Sequence, residues 1–169
     1  MLINELRSFF VISCPCGKKH ELILKDIVLK KGAIFELPEK VLEFNARKAF
    51  IIMDNNTLKV AGQEVCNLLN EKGVETIKFT YNTENLEPDD RALKQLYSAY
   101  DKSCDIVIGV GSGVINDLGK MLSKKESKPY IIVATAPSMD GYASASSSMV
   151  INGLKVSISS KCADVIIGD

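Results

Sequence analysis

The chain of 169 residues carries no excess of charge of either sign, with lysine plus arginine equal to aspartate plus glutamate at 21 each. That balance excludes the electrostatic footprint of a protein built to bind nucleic acid or an anionic membrane. No apolar run approaches the length that spans a bilayer, and MLINELRSFF lacks the basic region, apolar stretch and small-residue cleavage site of a secretory leader. The expectation is a cytoplasmic protein with neither a membrane nor a nucleic-acid partner. Cysteine is sparse and odd in number, five in all, and Cys66, Cys104 and Cys162 lie in apolar segments where they behave as small hydrophobes. A disulfide framework is not expected.

Histidine is scarcer still. His20 stands alone, and with Cys14 and Cys16 it forms C-x-C-x3-H. Three ligands without a nearby fourth make a poor structural zinc site, and a hairpin turn with free thiols is the competing reading. The length suits a single domain with one full core, and there is neither a low-complexity tract nor an internal repeat.

What the sequence does have is a regular alternation of strand-like and helix-like segments from residue 35 to residue 135. Before it, Phe9 to Ser13 and Glu21 to Leu29 read as a hairpin around Cys14-Pro15-Cys16-Gly17, and a helix is expected from about Pro38. Lys48 to Met53 reads as a buried strand. Thr57 is the expected N-cap of the next helix, which Gly73 closes. Val74 to Tyr81 repeats the strand, Pro88 opens a helix, and Cys104 to Val110 forms a third strand that runs into glycines. A helix from Gly113 to about Leu122 and a strand from Tyr130 to Ala134 complete the unit. Strands alternating with helices imply right-handed crossovers and a parallel sheet buried on both faces. The expected fold class is α/β, a Rossmann-like, mostly parallel sheet with helices on both faces and hairpins near the N-terminus and at about 144–159. The second hairpin turns at Asn152-Gly153, and Ala163 to Asp169 begins one more strand.

In such a sheet, ligands bind beyond the carboxyl ends of the strands, so the loops after residues 53, 81, 109 and 135 share one rim. The string GVGSGVINDLGK, residues 109–120, would let backbone N–H groups approach a phosphate at a helix N-terminus. A tight corner with close helix packing explains the same glycines. Their spacing, G-x-G-x-G after the third strand of the alternating unit, also departs from the Rossmann fingerprint. Asp54 ends the first strand of that unit, where a carboxylate can bind an adenosine ribose and repel a 2′-phosphate, or simply serve a turn. The loop Thr135 to Ser144 gathers hydroxyls, a carboxylate and a glycine, fit for a carboxamide and a polyol, or for a serine-rich turn. Asp117 reads as a first-turn complement to the helix dipole, and Lys120 as an ordinary solvated lysine.

Taken together, GVGSGVINDLGK, TAPSMDGYAS, Asn152-Gly153-Leu154-Lys155, VIIGD and the opening CPCGKKH resemble the sn-glycerol-1-phosphate dehydrogenases of the glycerol dehydrogenase and iron-containing alcohol dehydrogenase superfamily. TAPSMDGYAS is the specific part, whereas the glycine turn is shared by the wider superfamily, 3-dehydroquinate synthases included. The resemblance implies that Asp54 binds the adenosine ribose of NAD or NADP. It implies that Gly111, Ser112, Gly113, Val114, Ile115, Asn116 and Asp117 surround the pyrophosphate, and that Thr135, Ser138 and Ser144 line the nicotinamide side. Asp140 would touch the glycerol moiety. Asp169 would be a ligand of a catalytic divalent metal, usually zinc and in some members nickel or iron, whose two histidine co-ligands come from a C-terminal helical domain absent from these residues.

The expected activity is thus NAD(P)-dependent, metal-dependent interconversion of dihydroxyacetone phosphate and sn-glycerol 1-phosphate, with residues 1–169 as the dinucleotide-binding half of the enzyme. Such chemistry belongs to phospholipid metabolism. The alternatives are a glycerol dehydrogenase acting on free glycerol and a non-catalytic nucleotide-binding module. The sequence leaves NADH against NADPH open, and a homo-oligomer open as well.

Overall fold

A computed structural model describes residues 23–83, 85–137, 139 and 141–169. Six strands form one sheet: β1 (Asp26–Leu29), β2 (Lys48–Asp54), β3 (Glu75–Tyr81), β4 (Ile106–Gly111), β5 (Tyr130–Ala134) and β8 (Val165–Gly168). Their order is β1-β8-β5-β4-β2-β3 and every pairing is parallel. β6 (Ser146–Ile151) and β7 (Leu154–Ser159) form a separate antiparallel hairpin, turned by Asn152 and Gly153 with φ of 50° and 76°. The main helices are α1 (Leu37–Leu42), α2 (Gln63–Glu71, entered without a break from a helical turn at Asn55–Thr57 and a π-helical turn at Leu58–Gly62), α3 (Asp90–Ala99) and α4 (Gly113–Glu126).

The strands are apolar throughout because both faces of the sheet are covered. Ala49, Ile51 and Met53 of β2 pack with α1 and α2, while Phe50 and Ile52 face α3 and α4. All six residues of β4, at the centre, are buried. The expected α/β class and parallel sheet are thus present.

Several local expectations shift. The expected first hairpin falls largely on residues 1–22, outside the described residues, and Asp26–Leu29 of its second run pairs parallel with β8. Thr57 is not the cap. Asp54, at φ −110° and ψ 178°, accepts the N–H groups of Asn56 and Thr57, and the Thr57 hydroxyl accepts the Asp54 N–H, a reciprocal capping box. Likewise Asp89, one residue past Pro88, caps α3 through the Ala92 N–H at 2.8 Å. That hydrogen bond is the first cause holding the Asp89 carboxyl below its ordinary range. α4 runs four residues beyond Leu122 to Glu126, because Ser127 at φ 54° supplies the left-handed stop that a glycine usually provides.

The chain leaves β2 for one edge through α2 on one face, then returns past β2 to β4 and continues in the opposite direction through α4 on the other face. Adjacent strands whose following helices depart to opposite faces define a switch point, and a crevice opens there at the carboxyl ends. Here it lies between β2 and β4.

Candidate functional site

The crevice is a real hollow. A cleft of about 400 Å³ is lined by Asp54 and Asn56 after β2, by Glu87 and its neighbours after β3, and by Ser112, Val114 and Ile115 after β4. A second hollow of about 440 Å³ shares its wall at residues 83 and 85–87 and runs on toward Tyr81 and Arg91. Volumes of this size are typical of small-molecule sites. Asn55 donates to Asn82 at 2.7 Å, tying the loops after β2 and β3 together. The wall after β3 was indicated only by its place on the rim, since its residues carry no motif.

At the floor of the cleft stands the N-terminus of α4. The first-turn N–H groups of a helix have no intrahelical acceptor, and the Ser112 side chain takes none of them. They and the positive end of the helix dipole are available to an anion. The glycines divide between two tasks. A Cβ at Gly111 would meet Ile115 at 2.6 Å, one at Gly109 would overlap the Tyr130 hydroxyl and one at Gly119 the Tyr130 hydroxyl and ring, so these three serve close packing of α4 on the sheet. Only at Gly113 would a Cβ find ordinary contact, with Met139 at 3.4 Å. The tight-corner reading thus accounts for Gly109, Gly111 and Gly119, while Gly113 is the glycine of the string left open at the helix N-terminus.

Next along the rim is the segment after β5. Thr135 donates its N–H to the Gly111 carbonyl at 3.2 Å. Tyr142 donates to the Ala136 carbonyl, and burial pushes its phenol up. Ser144 and Ser146 share a hydroxyl contact of 2.9 Å. Ser138 and Asp140 lie outside the described residues, as do Cys14, Cys16 and His20.

Two expectations about α4 are corrected. Asp117 is not in the first turn, and its carboxylate pairs with Lys120 at 3.0 Å. Lys120 is not solvated but fully buried, because the hairpin β6–β7 and the residues leading into it pack over this part of α4. Asn116 is also buried. It donates to the Gly141 carbonyl at 3.3 Å, and its side-chain oxygen has no partner among the described residues.

Asp169 stands at the carboxyl end of β8, where its two oxygens accept the N–H groups of Gly32 at 2.8 Å and Ile34 at 3.2 Å. Among the described residues, no group of three His, Cys, Asp or Glu side chains could hold a metal. One carboxylate already serving two backbone donors does not make a zinc site, which needs three protein ligands and an open position.

An open parallel sheet with a switch-point crevice, a helix N-terminus at its floor and an acidic residue ending the neighbouring strand defines an α/β domain of the doubly wound type, a class whose ligands bind in that crevice. Comparison with known proteins narrows this class. The family profile of iron-containing alcohol dehydrogenases matches residues 28–167, and the chain belongs to that family. A glycerol-1-phosphate dehydrogenase (NAD(P)+) of Halalkalibacterium halodurans is 32% identical over 160 residues, covering 92% of this chain and 40% of that protein. A protein of the same name from Geobacillus thermodenitrificans is 29% identical over 159 residues, covering 92% of this chain and 39% of that protein. The chain thus spans about 40% of the length of the curated relatives it matches. Among solved structures, glycerol dehydrogenase from Schizosaccharomyces pombe shares the fold at a TM-score of 0.76 and 20% identity, over 86% of this chain and 37% of that one. A 1,3-propanediol oxidoreductase also matches at a TM-score of 0.76 and 20% identity, over 86% of this chain and 44% of that one.

Proposed function

We propose that this chain is the dinucleotide-binding half of an NAD(P)-dependent, metal-dependent oxidoreductase that interconverts dihydroxyacetone phosphate and sn-glycerol 1-phosphate. The observation that carries the reading is a linear array on the rim. Asp54, Ser112, Thr135 and Asp169 end or directly follow the mutually adjacent strands β2, β4, β5 and β8. Three strand spacings amount to roughly 14 Å, a span suited to an extended dinucleotide and a small substrate placed end to end.

In this array Asp54 takes the adenosine ribose and its charge disfavours a 2′-phosphate. The free N–H groups from Gly113 to Ile115 take the pyrophosphate, with Gly111 and Ser112 leading into them and Asn116 and Asp117 behind them. Thr135, Ser138 and Ser144 bound the nicotinamide, and Asp140 meets the polyol. The cofactor supplies hydride exchange at C4 of its nicotinamide with C2 of the substrate, while the chain's task is to bind and orient the two.

Asp169, short of a complete ligand set here, is the residue this half would contribute to a divalent metal, zinc before nickel or iron. The two histidines that complete the set are assigned to a helical C-terminal domain. No helix among the described residues is long and apolar enough to cross a membrane; the location assigned to the enzyme in this reading is the cytoplasm.

The substrate test is a steady-state assay of the complete polypeptide with NADH or NADPH, comparing dihydroxyacetone phosphate with dihydroxyacetone. A preference of at least tenfold in kcat/KM for the phosphate ester is expected. Comparable turnover of the free ketone would transfer the assignment to a glycerol dehydrogenase. No turnover of either, with cofactor still bound, would leave a nucleotide-binding module.

A further inference from the structure

Lys120 projects from α4 beneath the residues that lead into β6, and only 1% of it is accessible. Its ammonium has three acceptors: the Asp117 carboxylate at 3.0 Å, the Ser144 carbonyl at 3.4 Å and the Ser146 carbonyl. A lysine carries three donors, so the set is complete. Burying a charge in this way is costly even when it is paired, and an apolar residue of similar volume often stabilises a fold as well or better. Filling space is therefore a weak reason for a lysine here.

The carbonyls it grips belong to a strap, residues 141–146, held at four points by side chains outside it. Asn116 holds the Gly141 carbonyl at 3.3 Å and the Cys162 thiol holds the Ala143 carbonyl at 3.1 Å. Lys120 holds the remaining two. Two of these three side chains lie on α4, the helix whose N-terminus floors the cleft. The strap is thereby fixed to the anion-binding helix rather than to the sheet. Asp54 and Asn56, which line the cleft beyond the N-terminus of α4, depend on none of this, because they are set by their own capping box at the end of β2.

We propose that Lys120 is the positioning residue of the cofactor cleft, holding the strap 141–146 in register with the N-terminus of α4 so that Ser144 bounds the nicotinamide end of the bound dinucleotide. The inference rests on the dinucleotide reading above and adds to it a residue that touches neither cofactor nor substrate.

The test uses the 169-residue chain and its K120M and K120R variants, with NADH and ADP-ribose as calorimetric probes and amide hydrogen exchange as an independent readout. In K120M the Kd for NADH should rise at least tenfold while that for ADP-ribose stays within twofold. Exchange across 141–147 should quicken at least tenfold, and Cys162 should become open to alkylation. K120R, which keeps the charge and several donors, should recover slow exchange and much of the NADH affinity. If K120M does not fold, K120Q, which keeps a donor at similar depth, is read by the same criteria. Unchanged exchange in the strap, or equal weakening of NADH and ADP-ribose, would overturn the assignment of Lys120. Failure of the unsubstituted chain to bind NADH would instead overturn the dinucleotide reading, and the exchange comparison would still decide whether Lys120 holds the strap.

Discussion

The ring of Tyr130 occupies the space that a side chain at Gly119 would need: a Cβ there would stand 2.5 Å from the phenolic oxygen and 2.6 Å from two ring carbons. The first residue of β5 thus sets how closely α4 approaches the sheet, and with it the depth of the cleft floor. The Tyr130 hydroxyl is buried with no hydrogen-bond partner among the described residues, and burial pushes its pKa well up.

With three atoms of Tyr130 closer than 3 Å, overpacking takes the upper end of its usual range, about 3 kcal/mol, and the helix-propensity gain of about 1 kcal/mol leaves Gly119→Ala destabilised by about 2 kcal/mol. Tyr130→Phe, which removes an unsatisfied buried hydroxyl, should be neutral or mildly stabilising, and combined with Gly119→Ala it should recover part of the loss. Urea midpoints of the four proteins measure this. A Gly119→Ala variant as stable as the unsubstituted chain would contradict the packing.

Gly113 should behave in the opposite way. A methyl there meets only Met139, at ordinary contact distance, so Gly113→Ala should change stability by no more than about 0.5 kcal/mol. It should nonetheless weaken NADH binding about tenfold, because the methyl crowds the approach to the α4 N-terminus. Calorimetry and a denaturation curve on the same sample separate the two effects.

Asp54 caps its helix and, in the function proposed, also meets the adenosine ribose, and substitution can divide the two. Asp54→Ala loses the cap and should cost about 1 kcal/mol of stability together with NADH affinity. Asp54→Asn keeps a capping oxygen and should hold stability while narrowing the preference for NADH over NADPH. An unchanged NADH-to-NADPH affinity ratio in the asparagine variant would remove Asp54 from cofactor discrimination.

Stability should fall on the alkaline side. Burial pushes the Cys104 thiol up to about 11 from an ordinary 9.0, with Asp101 adding to the shift. Burial likewise pushes the Tyr100 phenol up to about 12. For a group whose pKa is raised on folding, the stabilisation is complete below the unfolded value and is lost as pH rises toward the folded one. Cys104 alone represents a loss on the order of 2–3 kcal/mol between pH 9 and 11. Urea midpoints across that window should decline, and less steeply in Cys104→Ala. Equal slopes would contradict the shift.

How far the sequence carried the reading depended on how local each signal was. Strands buried on both faces announce themselves as apolar runs, so β2, β4 and β5 were legible nearly to the residue. Helix starts were displaced, at Thr57 and Pro88, because a capping aspartate is set by strand-end backbone geometry that a one-residue pattern does not carry. Asp54 and the glycine string were legible as rim residues. Which of the glycines are held by close packing was not, since that depends on Tyr130, distant in sequence. Lys120 was misjudged for the same reason: on its own helix it looks solvated, and only the strap from 141 onward buries it.

The most direct measurement is a titration of isotope-labelled chain with NADH, followed by backbone amide shifts. Saturable binding, with the largest perturbations at Asp54–Thr57, Ser112–Asn116 and Ser144, is the result expected of a dinucleotide lying across β2, β4 and β5. No binding at millimolar NADH with the fold intact, or perturbations confined to residues away from this rim, would contradict it.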